Sequence, residues 1–278
     1  MPLVAMQDLL TSARDARRGL GAMNVIQIEH AEAIVSGAEQ AGLPVVLQIS
    51  ENTARYHRSL APIALAALRI AEESSVDVTV HLDHATGVDL VHEAAELGIG
   101  SVMFDASTMP HQENVVRTRD VVGWCHARGV AVEAELGEIG GKDGVHAPGA
   151  RTDPSQAVEY VGATGVDSLA VAVGSSHAML TREAVLDDEL IASLAAQVPV
   201  PLVLHGSSGV PDDGLVSAVA AGMTKVNIAT HLNASMTFAV RSALGQDARL
   251  ADPRGYLGAG RDAVAAEVAR LLALLAGR

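Results

Sequence analysis

Apolar positions along this chain follow two alternating rhythms. Short runs rich in Val, Leu, Ile and Ala are apolar along most of their length, the pattern of strands buried on both faces. They are Leu43-Pro-Val-Val-Leu-Gln-Ile49, Val78-Thr-Val-His-Leu-Asp-His-Ala85, Ser101-Val-Met-Phe104, Val130-Ala-Val-Glu-Ala-Glu135, Ser168-Leu-Ala-Val-Ala-Val173, Leu202-Val-Leu-His205 and Thr224–Ile228, with Ala22–Val25 a shorter candidate ahead of them. Between the runs lie stretches with helical period: 6–18, Glu29–Ala41, Pro62–Ser74, Val88–Leu97, Glu113–Arg128, Pro154–Val161, Asp187–Gln197, Asp212–Ala221, Thr230–Leu244 and Ala259–Leu275. Gly42, Gly98, Gly129 and Gly222 stop helices, and Asp153 is placed to cap one. The count is eight strands, each followed by a helix, with no composition shift along the chain. That arithmetic predicts one domain over residues 1–278, an α/β fold of the single (β/α)8 TIM-barrel kind with extra terminal helices. A doubly wound open sheet is the rival. It would carry a glycine fingerprint after its first strand, and Asn24-Val-Ile-Gln-Ile-Glu29 has none.

Composition narrows the function. The chain has 278 residues and a net charge of -14, a field that repels nucleic acid and acidic membranes. Aromatic residues are only 2%, so aliphatic side chains must fill the core. The single Cys125 cannot form an internal disulfide and reads as a small buried residue. No apolar run is long enough to span a membrane. The N-terminus lacks a basic segment followed by an apolar one, so no signal peptide is expected. Cytoplasmic location is the default expectation.

In a (β/α)8 barrel, function collects at the carboxyl ends of the strands. Here those ends carry Asn24, Ser50, Glu51, Asp83, His84, Asp105, Ser107, Glu135, His177, His205 and Asn227. His84, His177 and His205 end the third, sixth and seventh strands, and three imidazoles with an open fourth position form a catalytic zinc arrangement. Alternation puts His81 and Asp83 on one strand face, and His84 sits where the chain turns out. His30, His92, His111 and His126 fall on predicted helices and read as solvated. His205-Gly-Ser-Ser-Gly209 leads into a helix, and its backbone N–H groups can cradle a phosphate. Thr230, after the eighth strand, adds a donor to the same corner.

With these residues assembled, the chain resembles the class II, zinc-dependent ketose-bisphosphate aldolases, a family that includes the fructose-bisphosphate and tagatose-bisphosphate aldolases. The resemblance runs from Gly21-Ala-Met-Asn24 to Asp252-Pro-Arg254. It is carried by His81-Leu-Asp-His-Ala85, Ser101-Val-Met-Phe-Asp105, Glu133-Ala-Glu-Leu-Gly137, Val173-Gly-Ser-Ser-His177, Leu202-Val-Leu-His-Gly206 and Lys225-Val-Asn227. It implies that His84, His177 and His205 are Zn2+ ligands and that Asp83 handles the C4 hydroxyl proton. Glu135 then lies near the metal, and Asn227 contacts the triose. Gly206 and Ser208 contact one phosphate, Arg254 takes the far one, and Asn24, Ser50 and Thr230 complete the substrate contacts. A sugar bisphosphate partner, a homodimer or homotetramer, and a monovalent cation as an activator also follow from the resemblance.

Three positions depart from the family pattern. Ser207 replaces a glycine of the turn, and Ala178 replaces the glycine after the sixth-strand histidine. The loop after Gly140-Gly141 reads Lys142-Asp143-Gly144 where the family has a Glu-Asp pair. Asp143 is the candidate to take the glutamate's catalytic place, with Glu138 a second one. A related phosphorylated keto sugar acid as substrate, or a non-catalytic sugar-phosphate sensor, are the alternative readings. A Schiff-base aldolase would need Lys142 or Lys225, and Lys225 is expected to face the far end of the barrel.

Overall fold

Apolar runs bounded by glycine become strands buried on both faces, and they close on one another as parallel neighbours. The computed structural model describes residues 3–136, 151–175 and 181–278. In chain order the elements are α1 (Met6–Asp15), β1 (Leu20–Asn24), α2 (Ile28–Ala41), β2 (Val45–Ser50), α3 (Glu51–His57), α4 (Ala61–Glu73), β3 (Val78–Ala85), α5 (Val88–Glu96), β4 (Ser101–Phe104) and α6 (His111–His126). Then come β5 (Ala131–Glu135), α7 (Pro154–Thr164), β6 (Ser168–Ala170), α8 (Asp188–Gln197), β7 (Leu202–Leu204), a short 3-10 turn Ser207–Gly209, α9 (Asp212–Ala221), β8 (Met223–Ile228), α10 (Thr230–Gln246) and α11 (Pro253–Leu275). The eight strands form a closed barrel in sequence order, with β1 pairing β8 to shut the ring. The (β/α)8 expectation is met.

The inside of the barrel is graded. At the floor, Met6, Leu9, Leu10 and Ala13 of α1 pack on Leu20, Ala22 and Val46 and plug the amino-terminal end. Above them the inward positions turn polar: Gln48, His81, Ser101, Glu133, Ser168 and Lys225 are all buried. Higher still lie Asp83, Glu135, His205 and Asn227 at the carboxyl ends. Pairs spaced two apart, His81/Asp83, Glu133/Glu135 and Lys225/Asn227, occupy successive layers because a strand repeats its facing every second residue.

Several local expectations are corrected. Helix α3 was not anticipated; it is short, and Ser50 caps it through Thr53 N at 3.2 Å. Helix α11 starts at Pro253 with Asp252 as cap, earlier than the expected Ala259. Within it, Gly260 lets α10 approach closely through Met236. The ladder of β6 ends at Ala170 rather than Val173. His30 is buried at 3% exposure on α2, not solvated. Cys125 is buried, as expected, and burial pushes its thiol up to about 11. Among the described residues no helix is long and apolar enough to cross a membrane.

One packing seam makes a prediction. A Cβ on Gly37 of α2 would lie 2.5 Å from the Ala265 carbonyl oxygen and 2.8 Å from Val268 Cβ, both on α11. Gly37→Ala is therefore expected to destabilise the fold by about 1–3 kcal/mol, as overpacking does. A denaturant titration would show this as a lower midpoint, with unchanged activity per folded molecule. An unchanged midpoint would mean the two helices are free to separate.

Candidate active site at the barrel mouth

Strand β3 places two neighbouring side chains in the mouth where a regular strand could place one. The β3–β4 register shifts between Leu82 and Ala85, and His84 has a φ of 52°. Left-handed backbone is uncommon for a residue with a Cβ, and such strain concentrates at functional sites. The irregularity re-aims His84 so that it lines the same cavity as Asp83. The sequence reading had placed His84 at the strand exit; β3 in fact continues to Ala85.

Each of the two described candidate metal histidines is held from behind by a carboxylate. His84 Nδ1 lies 2.7 Å from Asp105 Oδ2, and Ser107 donates to the other Asp105 oxygen from N at 3.2 Å and Oγ at 2.6 Å. His205 Nε2 lies 2.9 Å from Glu133 Oε1. The remaining ring nitrogens, His84 Nε2 and His205 Nδ1, meet at 3.0 Å with the rings at 81°. Two imidazole nitrogens on a tetrahedral zinc would sit about 3.3 Å apart, given bonds of about 2.0–2.1 Å. Metal-ligating histidines characteristically hand their second nitrogen to a carboxylate.

Two groups of side chains can each offer ligand atoms within 4.8 Å of one another: Asp83, His84 and His205, and His84, Asp105 and Glu135. The donor set fits a divalent cation. His177 and Asp143 lie outside the described residues, so the third predicted imidazole and the candidate loop acid have no position here.

The cavity over this centre holds about 180 Å3. Of the sequence candidates, Asn24, Ser50, Asp83, His84, His205, Gly206, Ser208, Asn227 and Thr230 all line it. Glu135 is fully buried in the second ligand group, beside His84 and Asp105. Arg254 does not line the cavity: it is exposed at the start of α11, paired with Asp252 at 2.6 Å.

Gln48 and Asn52 line the cavity and escaped the sequence reading. Gln48 gave a signal, a lone amide inside an apolar strand, where it donates to Asn24 Oδ1 at 2.9 Å. Asn52 lies on the unanticipated α3. Asp105 had been noted as a strand end without its role behind His84.

Buried polar atoms are nearly always paired, yet Gln48 Oε1, Asp83 Oδ1 and Asn227 Oδ1 have no hydrogen-bond partner among the described residues. All three residues line the cavity. Burial raises the Asp83 carboxyl above the usual carboxylate range, and His84 beside it works in the opposite direction. His81, fully buried, is held far below the ordinary imidazole range, first by burial and then by Lys225. Its Nδ1 lies 2.8 Å from Ser101 Oγ.

One end of the cavity is formed by the turn after β7 and the start of α10. Gly206 takes a φ of 67°, which glycine adopts without strain, and opens the 3-10 turn. Ser208 Oγ accepts from Ala229 N at 3.3 Å and His231 N at 3.4 Å, tying this turn to the start of α10. Ser207, the departure from the family's glycine, is buried and donates from Oγ to the Asn227 carbonyl oxygen. The substituted side chain is thus absorbed inside the barrel, away from the ligand space.

Comparison with known proteins agrees with the geometry. Residues 4–277 match the family model for class-II fructose-bisphosphate aldolase. The chain is 37% identical over 268 residues to a fructose-bisphosphate aldolase of Staphylococcus aureus strain Mu50, covering 95% of this chain and 94% of that protein. It is 38% identical over 272 residues to one from Geobacillus stearothermophilus, covering 96% and 95%. Among solved structures, the YdjI aldolase from Escherichia coli K12 superposes with a TM-score of 0.88 at 31% identity, covering 98% of this chain and 97% of that one.

Proposed function

We propose, from the premise that this chain belongs to the class-II fructose-bisphosphate aldolase family, that it is a metal-dependent aldehyde-lyase. It would cleave a ketose 1,6-bisphosphate, fructose or tagatose, reversibly to dihydroxyacetone phosphate and glyceraldehyde 3-phosphate. The observation that carries this reading is the facing nitrogen pair of His84 and His205 at 3.0 Å, each ring backed by a carboxylate and next to the buried Asp83. His84 and His205, with His177 assigned as third ligand from the sequence, would hold Zn2+. A divalent ion there supplies a Lewis acid for the C2 carbonyl and for the charge that develops as the C3–C4 bond breaks.

The chain's own groups do the rest. Asp83 takes the proton of the C4 hydroxyl, and its burial makes it a stronger base than an exposed carboxylate. Asn227 and Asn24 orient the triose oxygens from the cavity wall. Gly206, Ser208 and Thr230 receive one phosphate on backbone and hydroxyl donors. Arg254, a planar bidentate donor, is assigned the far phosphate. Asp143 or Glu138 would supply the proton-transfer group of the loop. The altered loop Lys142-Asp143-Gly144 favours a second reading, a related phosphorylated keto sugar acid cleaved by the same chemistry. A homodimer or homotetramer in the cytoplasm completes the proposal.

The test is a coupled cleavage assay on fructose and tagatose 1,6-bisphosphates, each with and without a chelator. Release of dihydroxyacetone phosphate that chelation abolishes and zinc restores is the expected result, and the rate ratio names the substrate. Release that persists through exhaustive chelation would overturn the metal assignment. Silence on both sugars with one zinc bound would move the reading to the keto sugar acid.

A further inference from the structure

The centre of this barrel is occupied by an ion pair where an apolar plug would serve packing as well. Glu133 is 2% exposed and Lys225 fully buried. Lys225 Nζ lies 2.8 Å from Glu133 Oε2, and Ser168 Oγ reaches the same oxygen at 3.5 Å. The other oxygen, Oε1, is the one that meets His205 Nε2 at 2.9 Å. Replacing a buried ion pair by apolar side chains of similar volume is often neutral or stabilising, so packing alone does not account for this one. The amine of Lys225 is engaged and sealed from solvent, which also removes it as a Schiff-base nucleophile. It lies mid-barrel, opposite Leu20 and Val203, rather than at the far end as its place in the sequence had suggested.

We propose that Glu133 and Lys225 are a positioning pair that fixes the proton of His205 on Nε2 and so presents Nδ1 at the mouth. The inference rests on the metal reading above. An ionised carboxylate can only accept, so the ring nitrogen facing it carries the hydrogen, and the other nitrogen carries the lone pair. The same logic applies to His84, whose Nδ1 faces Asp105. Two lone pairs then confront each other across 3.0 Å, an arrangement that repels unless a proton or cation lies between them. Lys225 balances the buried charge of Glu133 and holds Oε2, which leaves Oε1 for the ring.

The assignment also orders Asn227. Its amide nitrogen lies 3.1 Å from His205 Nε2, while Oδ1 is buried with no partner among the described residues. With a hydrogen on Nε2, the amide belongs the other way round. Its oxygen then faces the ring, and its NH2 is aimed into the cavity as a donor for a substrate oxygen.

Two readouts on the full-length chain, stripped of metal, test the proposal. Nitrogen-15 spectra of the histidine rings report which nitrogen of His205 is protonated. Competition with a chelating indicator gives the zinc affinity. In the wild type the proton is expected on Nε2. In Glu133→Gln, Lys225 claims the amide oxygen, the amide NH2 turns to the ring, and the proton moves to Nδ1. Zinc affinity is expected to fall about 10–100-fold, as for other outer partners of metal ligands. The double variant Glu133→Gln/Lys225→Met frees the amide to rotate, so it should recover part of that loss.

A wild-type proton on Nδ1 would overturn the proposal, as would Glu133→Gln binding zinc within about threefold of wild type. If Glu133→Gln alone does not fold, the ring spectrum of the wild type decides by the position of the His205 proton. Absence of zinc binding by the wild type would sink the metal reading instead, and the ring spectra would still decide the tautomer.

Discussion

Asp83→Asn is expected to keep its zinc and its sugar phosphate and to lose cleavage by about 10²–10⁴-fold, the range typical of a general acid or base. The substitution keeps the shape of the side chain and removes its ability to take a proton. Among the described residues Asp83 Oδ1 has no hydrogen-bond partner, so none of their contacts depends on the charge at that atom. Oδ2 stands 3.9 Å from His84 Nε2, too far for a hydrogen bond, so the histidine should stay where Asp105 holds it. The expected signature is a fall in kcat with KM and metal content nearly unchanged. Asp83→Ala should behave likewise. Activity above about 10% of wild type in either variant would remove Asp83 from its role.

The second large effect pits function against stability at one residue. His84 carries a left-handed backbone at φ 52°, which costs roughly 1–2 kcal/mol for a residue with a Cβ and little for glycine. His84→Gly and His84→Ala should both fail to hold zinc and both lose cleavage, because each removes one of the two facing imidazoles. Between themselves they should differ. The metal-free glycine variant is expected to be more stable than the alanine variant by about 1 kcal/mol, read from denaturant midpoints. Each loses the same 2.7 Å contact to Asp105, so that loss cancels in the comparison. Equal midpoints would show that the backbone relaxes once the ring is gone. Full zinc retention in either variant would place the metal elsewhere.

How much of this was legible in the sequence depends on whether the signal is local. The strand ends were readable because glycine stops and apolar runs mark them, and the rim residues follow from those ends. Asp83, His205, Asn227 and the Gly206–Gly209 turn needed nothing more. The re-aiming of His84 was not readable. Strict alternation would send it to the opposite face from Asp83, and only the register shift against β4 overrides that. The polar middle of the barrel was hidden for another reason. His81 and Glu133 each sit between two apolar neighbours and Lys225 between Thr224 and Val226, and the meeting of Glu133 with Lys225 depends on closure of the ring. Lys225 near the start of β8 looked remote from the chemistry, yet the β7–β8 register shift and its pairing opposite Leu20 bring it to Glu133.

The pairings that build this centre are also far apart along the chain. His84 and His205 are separated by 121 positions, and Glu133 and Lys225 by 92. Contacts of that separation form only after the entropic cost of closing large loops has been met, and they belong late in folding. A half-closed barrel can bring His84, Asp105 and Glu135 together from β3, β4 and β5, but it holds neither the His84–His205 pair nor the Glu133–Lys225 pair. Before closure His205 and Lys225 lack Glu133, and each can still reach water. Capture of a cation at the mouth becomes a report on the last topological event, the docking of β8 between β7 and β1. A nascent or damaged chain stalled before that step would be inert toward its substrate rather than promiscuous, because the reactive geometry and the closed ring arrive together.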